Sequence, residues 1–137
     1  MSISSEPTRQ VLYTSSTSTT PLNYKQIVAK EALRFDEGKT NWSLMPFEAV
    51  EEINKVLEFG ANKYAEWNFV NDGGMKHSRI LNSCLRHIFA YMRGQDLDPE
   101  SGLSHLAHAG CNILFLLYYN KYPETFKAKD DRNVRTS

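Results

Sequence analysis

Apolar residues recur at helical spacing in three segments of the chain, 46–66, 76–93 and 101–120. Successive side chains of a helix are about 100° apart, so residues three or four positions apart share a face. No segment shows the two-residue alternation of a strand. The pattern predicts an all-α fold, a small helical bundle of three main helices. The apolar face of the first segment consists of Ala49, Val50, Ile53, Val56, Leu57, Gly60, Ala61 and Tyr64. That of the second segment consists of Ile80, Leu81, Cys84, Leu85, Ile88, Phe89 and Met92.

The two ends of the chain lack this periodicity. Residues 1–22 are rich in Ser and Thr, and we expect them to form a disordered tail. A weaker helical pattern covers residues 24–33. Pro123 stops the last helix, and residues 123–137 are charged, which predicts a frayed tail. The remaining residues, 23–122, form a single all-α domain in this interpretation.

Composition narrows the class of protein. Sixteen basic and sixteen acidic side chains give a formal net charge of zero, so we expect no nucleic-acid partner. We also expect no membrane partner, because the longest apolar run, 113–119, is too short to cross a bilayer. Two cysteines within apolar helical patterns and no secretory signal indicate a cytoplasmic protein. About ninety ordered residues bury little surface, which favours a homo-oligomer, a dimer or a tetramer.

The third predicted helix carries an unusual stripe of polar residues. Ser101, His105, His108 and Asn112 fall on one narrow side of it, directly after the acidic turn 96–100. None of the four is permanently charged, which is typical of polar groups held within an apolar packing surface. A pair of hydrogen-bonded core histidines is the alternative. Four polar groups on one stripe favour a functional site.

A cluster of acids begins the first predicted helix. Glu48, Glu51 and Glu52 stand at positions i, i+3 and i+4, so that their carboxylates can converge. Hard oxygen ligands of this kind suit Mg²⁺ or Mn²⁺. Glu52 lies nearest the apolar face and is the best candidate. Acids in a first helical turn also stabilise the helix dipole, and this is the structural alternative.

Cationic and aromatic residues offer candidate contacts for a nucleotide. Lys39, Lys63 and Arg86 are candidate phosphate ligands, and His87 adjoins Arg86. The ring of Tyr64 can stack on a base. Solvated cations and a core aromatic are the alternatives.

Five sequence blocks carry a further signal. They are Arg34-Phe-Asp-Glu-Gly-Lys, Leu44-Met-Pro-Phe-Glu-Ala-Val-Glu, Gly60-Ala-Asn-Lys-Tyr followed by Asn68, Leu85-Arg-His, and Arg93-Gly-Gln-Asp-Leu-Asp-Pro-Glu-Ser-Gly-Leu-Ser-His-Leu-Ala-His-Ala. Together they resemble a family common in bacteriophages, the dATP/dGTP diphosphohydrolase N-terminal domain family, over roughly residues 33–118. The resemblance implies cleavage of dATP or dGTP to the monophosphate and pyrophosphate, and kinship with the all-α MazG-like pyrophosphohydrolases, which bind divalent metal on helical carboxylates.

Residues and resemblance together favour metal-dependent hydrolysis of a purine deoxynucleoside triphosphate. Mg²⁺ or Mn²⁺ would orient a water and neutralise charge on the phosphoryl group. His105 or His108 is the predicted general base, and Glu52 and Glu100 act beside it. Predicted metal ligands are Glu48, Glu51, Glu52 and Asp98. Predicted substrate contacts are Lys39, Lys63, Tyr64, Asn68, Arg86, His87, Ser101 and Asn112.

Two other functions use the same residues. A phage protein that binds and sequesters a nucleotide needs the cations and aromatics but no metal. The acid cluster, which only the hydrolase requires, therefore distinguishes the sequestering protein from the hydrolase. An HD-like triphosphohydrolase would hold a metal on His105 and His108. The chain contains no His-Asp doublet, which disfavours the HD-like alternative.

Overall fold

The computed structural model describes residues 32–132, which are mostly helical and contain no strand. The chain divides into two compact units, Met1–Trp42 and Ser43–Ser137. The predicted all-α bundle of three main helices is confirmed. The helices are α1 (Phe47–Lys63), α2 (His77–Met92), α3 (His105–Lys121) and α4 (Pro123–Phe126), and short 3-10 segments cover Trp42–Leu44, Asn68–Gly73 and Lys127–Lys129.

The third helix begins four residues later than its periodicity predicted. Gly102 adopts a φ of 72°, a left-handed conformation that a continuous helix does not allow. Ser104 then caps the helix, because its hydroxyl accepts hydrogen bonds from the amides of Leu106 (3.1 Å) and Ala107 (3.3 Å). Ser101 is therefore a loop residue, although the sequence placed it in the first turn of the helix.

Helix α3 packs against both α1 and α2. Between α1 and α3 the buried core consists of Val56, Ala107 and Cys111. Gly60 belongs to the apolar face that the sequence predicted for the first helix, but a Cβ there would meet no atom within 4 Å. The close approach is at Gly110, where a Cβ would lie 2.9 Å from Cδ1 of Ile53.

A second core cluster lies where the ends of α2 and α3 meet the 3-10 segment Asn68–Gly73. Tyr119 is its centre and is 1% exposed. The Tyr119 hydroxyl accepts a hydrogen bond from the amide of Met75 at 3.0 Å and donates one to the carbonyl of Phe69. Gly74 is needed beside it, because a Cβ there would lie 2.8 Å from the Tyr119 ring.

The segment 123–132 differs from the frayed tail that the sequence predicted. Phe126 is 4% exposed in the second core cluster. The Asp131 carboxylate accepts hydrogen bonds from the amide (2.9 Å) and the hydroxyl of Ser78, and so satisfies a free amide at the start of α2. Residues 133–137, the predicted tail 1–22 and most of the predicted helix 24–33 lie outside the described residues. Among the described helices, none has the length and apolar character needed to cross a membrane.

Candidate functional site

The loop between α2 and α3 folds back on itself and presents Asp98. The amide of Asp98 donates to the carbonyl of Leu103 at 2.8 Å, and the amide of Gly102 donates to the carbonyl of Asp98 at 2.7 Å. Leu97 and Ser104 form an antiparallel bridge across the base of the loop. These backbone bonds hold the acidic turn against the first turn of α3.

Asp98, Ser101 and His108 form a continuous hydrogen-bonded chain. Both the amide (2.9 Å) and the hydroxyl (3.0 Å) of Ser101 donate to Oδ2 of Asp98. The same hydroxyl oxygen lies 2.6 Å from Nε2 of His108. Because the hydroxyl hydrogen is given to Asp98, the Nε2–H of His108 is the donor to Ser101. Neutral His108 then carries its lone pair on Nδ1.

His87 brings α2 into the same cluster. Its ring stacks on the ring of His108, with centroids 4.4 Å apart and planes 9° apart. Its Nδ1 lies 2.9 Å from Nδ1 of His105, so one of these two nitrogens carries a proton. His105 is 4% exposed, and its Nε2 is buried without a hydrogen-bond partner among the described residues.

Electrostatics keep the carboxyl ionised and the two stacked imidazoles neutral. Burial is the largest effect on each ring and lowers the pKa of both His87 and His108, which the charge of Asp98 only partly offsets. Burial opposes ionisation of Asp98, but the two hydrogen bonds from Ser101 and the nearby His108 outweigh it and lower the pKa of this carboxyl. Neutral imidazoles beside a carboxylate are suited to accept a proton from water.

The C-terminal end of α1 lies at the edge of this cluster. The ring of Phe59 meets the ring of His108 edge-on at 6.4 Å. One turn later, Nζ of Lys63 donates to Oε2 of Glu100 at 2.7 Å, and this hydrogen bond raises the pKa of Lys63. The same ammonium lies 5.5 Å from the ring centroid of Tyr64, which is exposed. Three predicted site residues are thus brought together here.

The predicted metal ligands Glu48, Glu51 and Glu52 do not belong to the group of close potential ligands that two of the histidines form with Asp98. All three are exposed on the first half of α1, and Glu52 pairs with Lys55 at 2.9 Å. Glu52 precedes Phe59, the α1 residue whose ring meets His108, by seven residues, a rise of about 10 Å along the helix axis. Within 32–132, the three glutamates do not form a group of three close ligand atoms. Their role as metal ligands stays a prediction.

Two predicted substrate contacts have partners within the protein. The side-chain amide of Asn112 donates to the carbonyl of His108 at 3.0 Å and to the hydroxyl of Ser83 at 3.3 Å, and so connects α3 to α2. Asn68 accepts a hydrogen bond from the side chain of Asn71 at 3.4 Å.

Two predicted phosphate ligands are exposed cations. Arg86 is exposed beside His87, and its charge contributes to the lowered pKa of that histidine. Lys39 belongs to the first unit, where its amide donates to the carbonyl of Asp36 at 3.0 Å. The phosphate-binding role of both stays a prediction.

Sequence reasoning missed the contact between His87 and His105. It treated His87 as a neighbour of Arg86 and a substrate contact, without a partner among the other histidines. A signal was present, because the chain contains only four histidines and three of them meet here. Side-chain spacing does not give the register between two helices, so the pairing became visible only in the fold.

The comparisons with known proteins agree on one family. A family model described as dATP/dGTP diphosphohydrolase, N-terminal, matches residues 29–132. Over 86 residues the chain is 35% identical to a dATP/dGTP diphosphohydrolase of Salmonella phage PMBT28, and the aligned stretch covers 63% of this chain. It covers 29% of that protein, so the chain spans less than a third of the length of this curated relative. No solved structure matches.

Proposed function

This chain belongs to the dATP/dGTP diphosphohydrolase N-terminal family, and from that premise we propose that it is an enzyme that hydrolyses purine deoxynucleoside triphosphates. The proposed products are the monophosphate and pyrophosphate. The observation that carries the proposal is the chain of hydrogen bonds from Asp98 through Ser101 to His108. It holds an ionised carboxyl beside a neutral imidazole, as general base catalysis requires. The proposed setting is the cytoplasm of the host cell.

In the proposed reaction His108 is the general base. Its neutral ring takes a proton from a water, whose oxygen forms a bond to the α-phosphorus as the bond from that phosphorus to the bridging oxygen breaks. Pyrophosphate leaves with the electron pair of the broken bond. Asp98 acts through Ser101 and stabilises the imidazolium that forms. His105 is 4% exposed and therefore supports His87 rather than meeting the water itself.

Substrate binding is proposed for the residues around the cluster. Arg86 and Lys63 supply the positive charge for the phosphates, and Lys63 exchanges its bond with Glu100 for one with a phosphate oxygen. The exposed ring of Tyr64 stacks on the purine.

We further propose that activity depends on Mg²⁺ or Mn²⁺. Glu48, Glu51 and Glu52 are of the ligand type that these ions prefer. Bound with the nucleotide, the ion would neutralise charge on the phosphoryl oxygens. Asp98 is the carboxylate closest to the proposed base, with 3.8 Å between its Oδ2 and Nε2 of His108.

An assay of the purified protein against dATP, dGTP, dCTP and dTTP, with Mg²⁺ or Mn²⁺ present, tests the proposal. We expect purine monophosphate and pyrophosphate, separated by ion-exchange chromatography, and their loss on adding a chelator. Nucleoside plus tripolyphosphate would instead support HD-like chemistry. Nucleotide retained by the protein without turnover would support a sequestering protein.

Self-association is a separate part of the proposal. Helix α3 exposes Leu106, Ile113, Leu114 and Leu117, which lie at positions i, i+7, i+8 and i+11 of one side. A solvated helix normally carries polar residues on such a side. We propose that it packs against a second copy of the chain to form a dimer or tetramer. Light scattering that gives a monomer mass at every concentration would contradict this.

A further inference from the structure

Three potential metal ligands converge between α2, α3 and the loop that joins them. One ligand atom from each of His87, Asp98 and His105 lies within 4.8 Å of the others. Of the residues from 32 to 132, these form the one group of three histidine, cysteine or acidic side chains with this property. Two imidazole nitrogens and one carboxylate oxygen are a donor set that binds divalent transition metals and leaves coordination positions open.

The spacing of the His87 and His105 imidazoles is suited to binding one cation between them. Their Nδ1 atoms are 2.9 Å apart. Two nitrogens at that separation, each about 2.05 Å from a metal, subtend an angle of about 90° at the metal, as neighbouring ligands of an octahedral ion do. Two histidines and one carboxylate on adjacent positions make the facial arrangement of many metal sites.

The contact between His87 and His105 needs a proton or a cation between its two nitrogens. A neutral imidazole has one donor and one acceptor, and the His87 contact uses only Nδ1 of His105. Its Nε2 is buried without a partner among the described residues, whichever ring carries the shared proton. At 2.9 Å the lone pairs of the two Nδ1 atoms repel unless a proton lies between them, and a cation bound to both nitrogens would take the place of that proton.

The surroundings hold two of the three residues in place. Two hydrogen bonds from Ser101 fix Oδ2 of Asp98, and the ring of His108 stacks on His87. Supporting contacts of this kind orient the ligands of a metal before it binds. Asp98 and His87 are only partly buried, so a cation can reach the cluster from their side.

We propose that His87, Asp98 and His105 bind one divalent transition-metal cation of the Mn²⁺, Co²⁺ or Zn²⁺ type. The two nitrogen ligands disfavour Mg²⁺, which prefers oxygen. Of the carboxylates predicted to bind a metal, this site uses Asp98 and none of the glutamates of α1. The proposal concerns cation binding and does not depend on the proposed hydrolysis.

Titration of the chelator-treated, dialysed protein with Co²⁺ tests the proposal, with the visible absorption of bound cobalt and calorimetry as readouts. We expect one ion per chain, displaced by Zn²⁺ but not by equal concentrations of Mg²⁺. His87→Gln and Asp98→Asn should each weaken binding more than tenfold. His77→Gln is the control, because it makes the same substitution at a histidine outside the cluster, one that bonds to the carbonyl of Lys129. The affinity of His77→Gln for Co²⁺ should equal that of the wild-type protein.

Asp98→Asn decides the result if His87→Gln does not fold, because it keeps the shape of the side chain and removes only the charge. Unchanged Co²⁺ affinity in folded Asp98→Asn, or no saturable binding by the wild-type protein, would overturn the proposal. Cation binding without hydrolysis would refute the proposed function and leave this inference standing. Hydrolysis with Mg²⁺ by a protein that binds no Co²⁺ would support the proposed function and refute the cation site.

Discussion

Ser101 and His108 are joined by a contact of 2.6 Å between the serine hydroxyl and Nε2 of the imidazole. Ser101 lies in the loop and His108 on the second turn of α3, so the contact ties the loop to the helix. The same hydroxyl holds Asp98, and a single small side chain therefore positions both the carboxylate and the imidazole of the proposed reaction.

Replacing His108 with Gln should reduce kcat of the proposed hydrolysis by about a hundredfold or more, because a general base contributes this much and an amide does not accept the proton. Steady-state release of pyrophosphate measures the effect. His77→Gln makes the same substitution at a buried histidine outside the cluster and should keep the wild-type kcat. A folded His108→Gln protein with normal turnover would show that another group is the base.

Replacing Ser101 with Ala should lower both stability and activity. It leaves the partly buried Asp98 and His108 without a shared partner, which costs about 1–3 kcal/mol in the free energy of unfolding. Ser104→Ala removes the helix cap instead and should cost about 1 kcal/mol without changing kcat. Urea denaturation and turnover, measured on both variants, separate the two roles. Equal kcat in the two variants would argue against a positioning role for Ser101.

Replacing Glu52 with Gln tests the predicted carboxylate site on α1. If Glu52 binds Mg²⁺, the Mg²⁺ concentration for half-maximal activity should rise about tenfold or more, because the lost charge weakens the site. Glu58→Gln is the control, since Glu58 is an exposed acid of the same helix. Identical Mg²⁺ dependence in wild type and Glu52→Gln would remove Glu52 from the metal site.

Two glycine substitutions test how closely α1 and α3 pack. Gly110→Ala places a methyl group 2.9 Å from Cδ1 of Ile53, and we expect a loss of about 1 kcal/mol in the free energy of unfolding. Gly60→Ala meets nothing within 4 Å and should gain about 0.5–1 kcal/mol from helix propensity. Thermal and urea denaturation measure both. Adding Ile53→Val to Gly110→Ala should restore part of the loss, and no restoration would contradict this contact.

Asp131 should make stability depend on pH in the acid range. Hydrogen bonds from the Ser78 hydroxyl and amide hold the pKa of this carboxyl below its usual range. A lowered pKa in the folded state stabilises the fold above the unfolded value, about 3.9, and this stabilisation is lost as pH falls through the folded pKa. Asp131→Asn should therefore destabilise the protein at pH 7 and lose its difference from wild type in strong acid. Denaturation curves from pH 7 to pH 2 measure this.

Asp72→Asn is the control for the Asp131 experiment. Asp72 is exposed and has a φ of 54°, which Asn also tolerates. The free energy of unfolding of Asp72→Asn should depend on pH in the same way as that of the wild-type protein. A difference between Asp131→Asn and wild type that is constant with pH would show that the carboxyl does not act through its charge.

The sequence by itself determined the helices, because helical periodicity is a local property of the chain. The first two predicted helices begin within one residue of α1 and α2. The start of α3 was misplaced because Ser101 and Ser104 are both plausible caps, and only the left-handed backbone at Gly102 decides between them. Local pattern also placed His105 and His108 on one helix face beside an acidic loop.

The tertiary structure alone decided which of these residues meet. The contact between His87 and His105 depends on the register of α2 against α3, which is determined by packing rather than by spacing along either helix. The same packing brings Phe59 of α1 to the ring of His108, edge-on at 6.4 Å. Packing also fixes residues 123–132 against the start of α2. Phe126 is buried in the second core cluster, and Asp131 accepts a hydrogen bond from the amide of Ser78. The local sequence reveals neither contact.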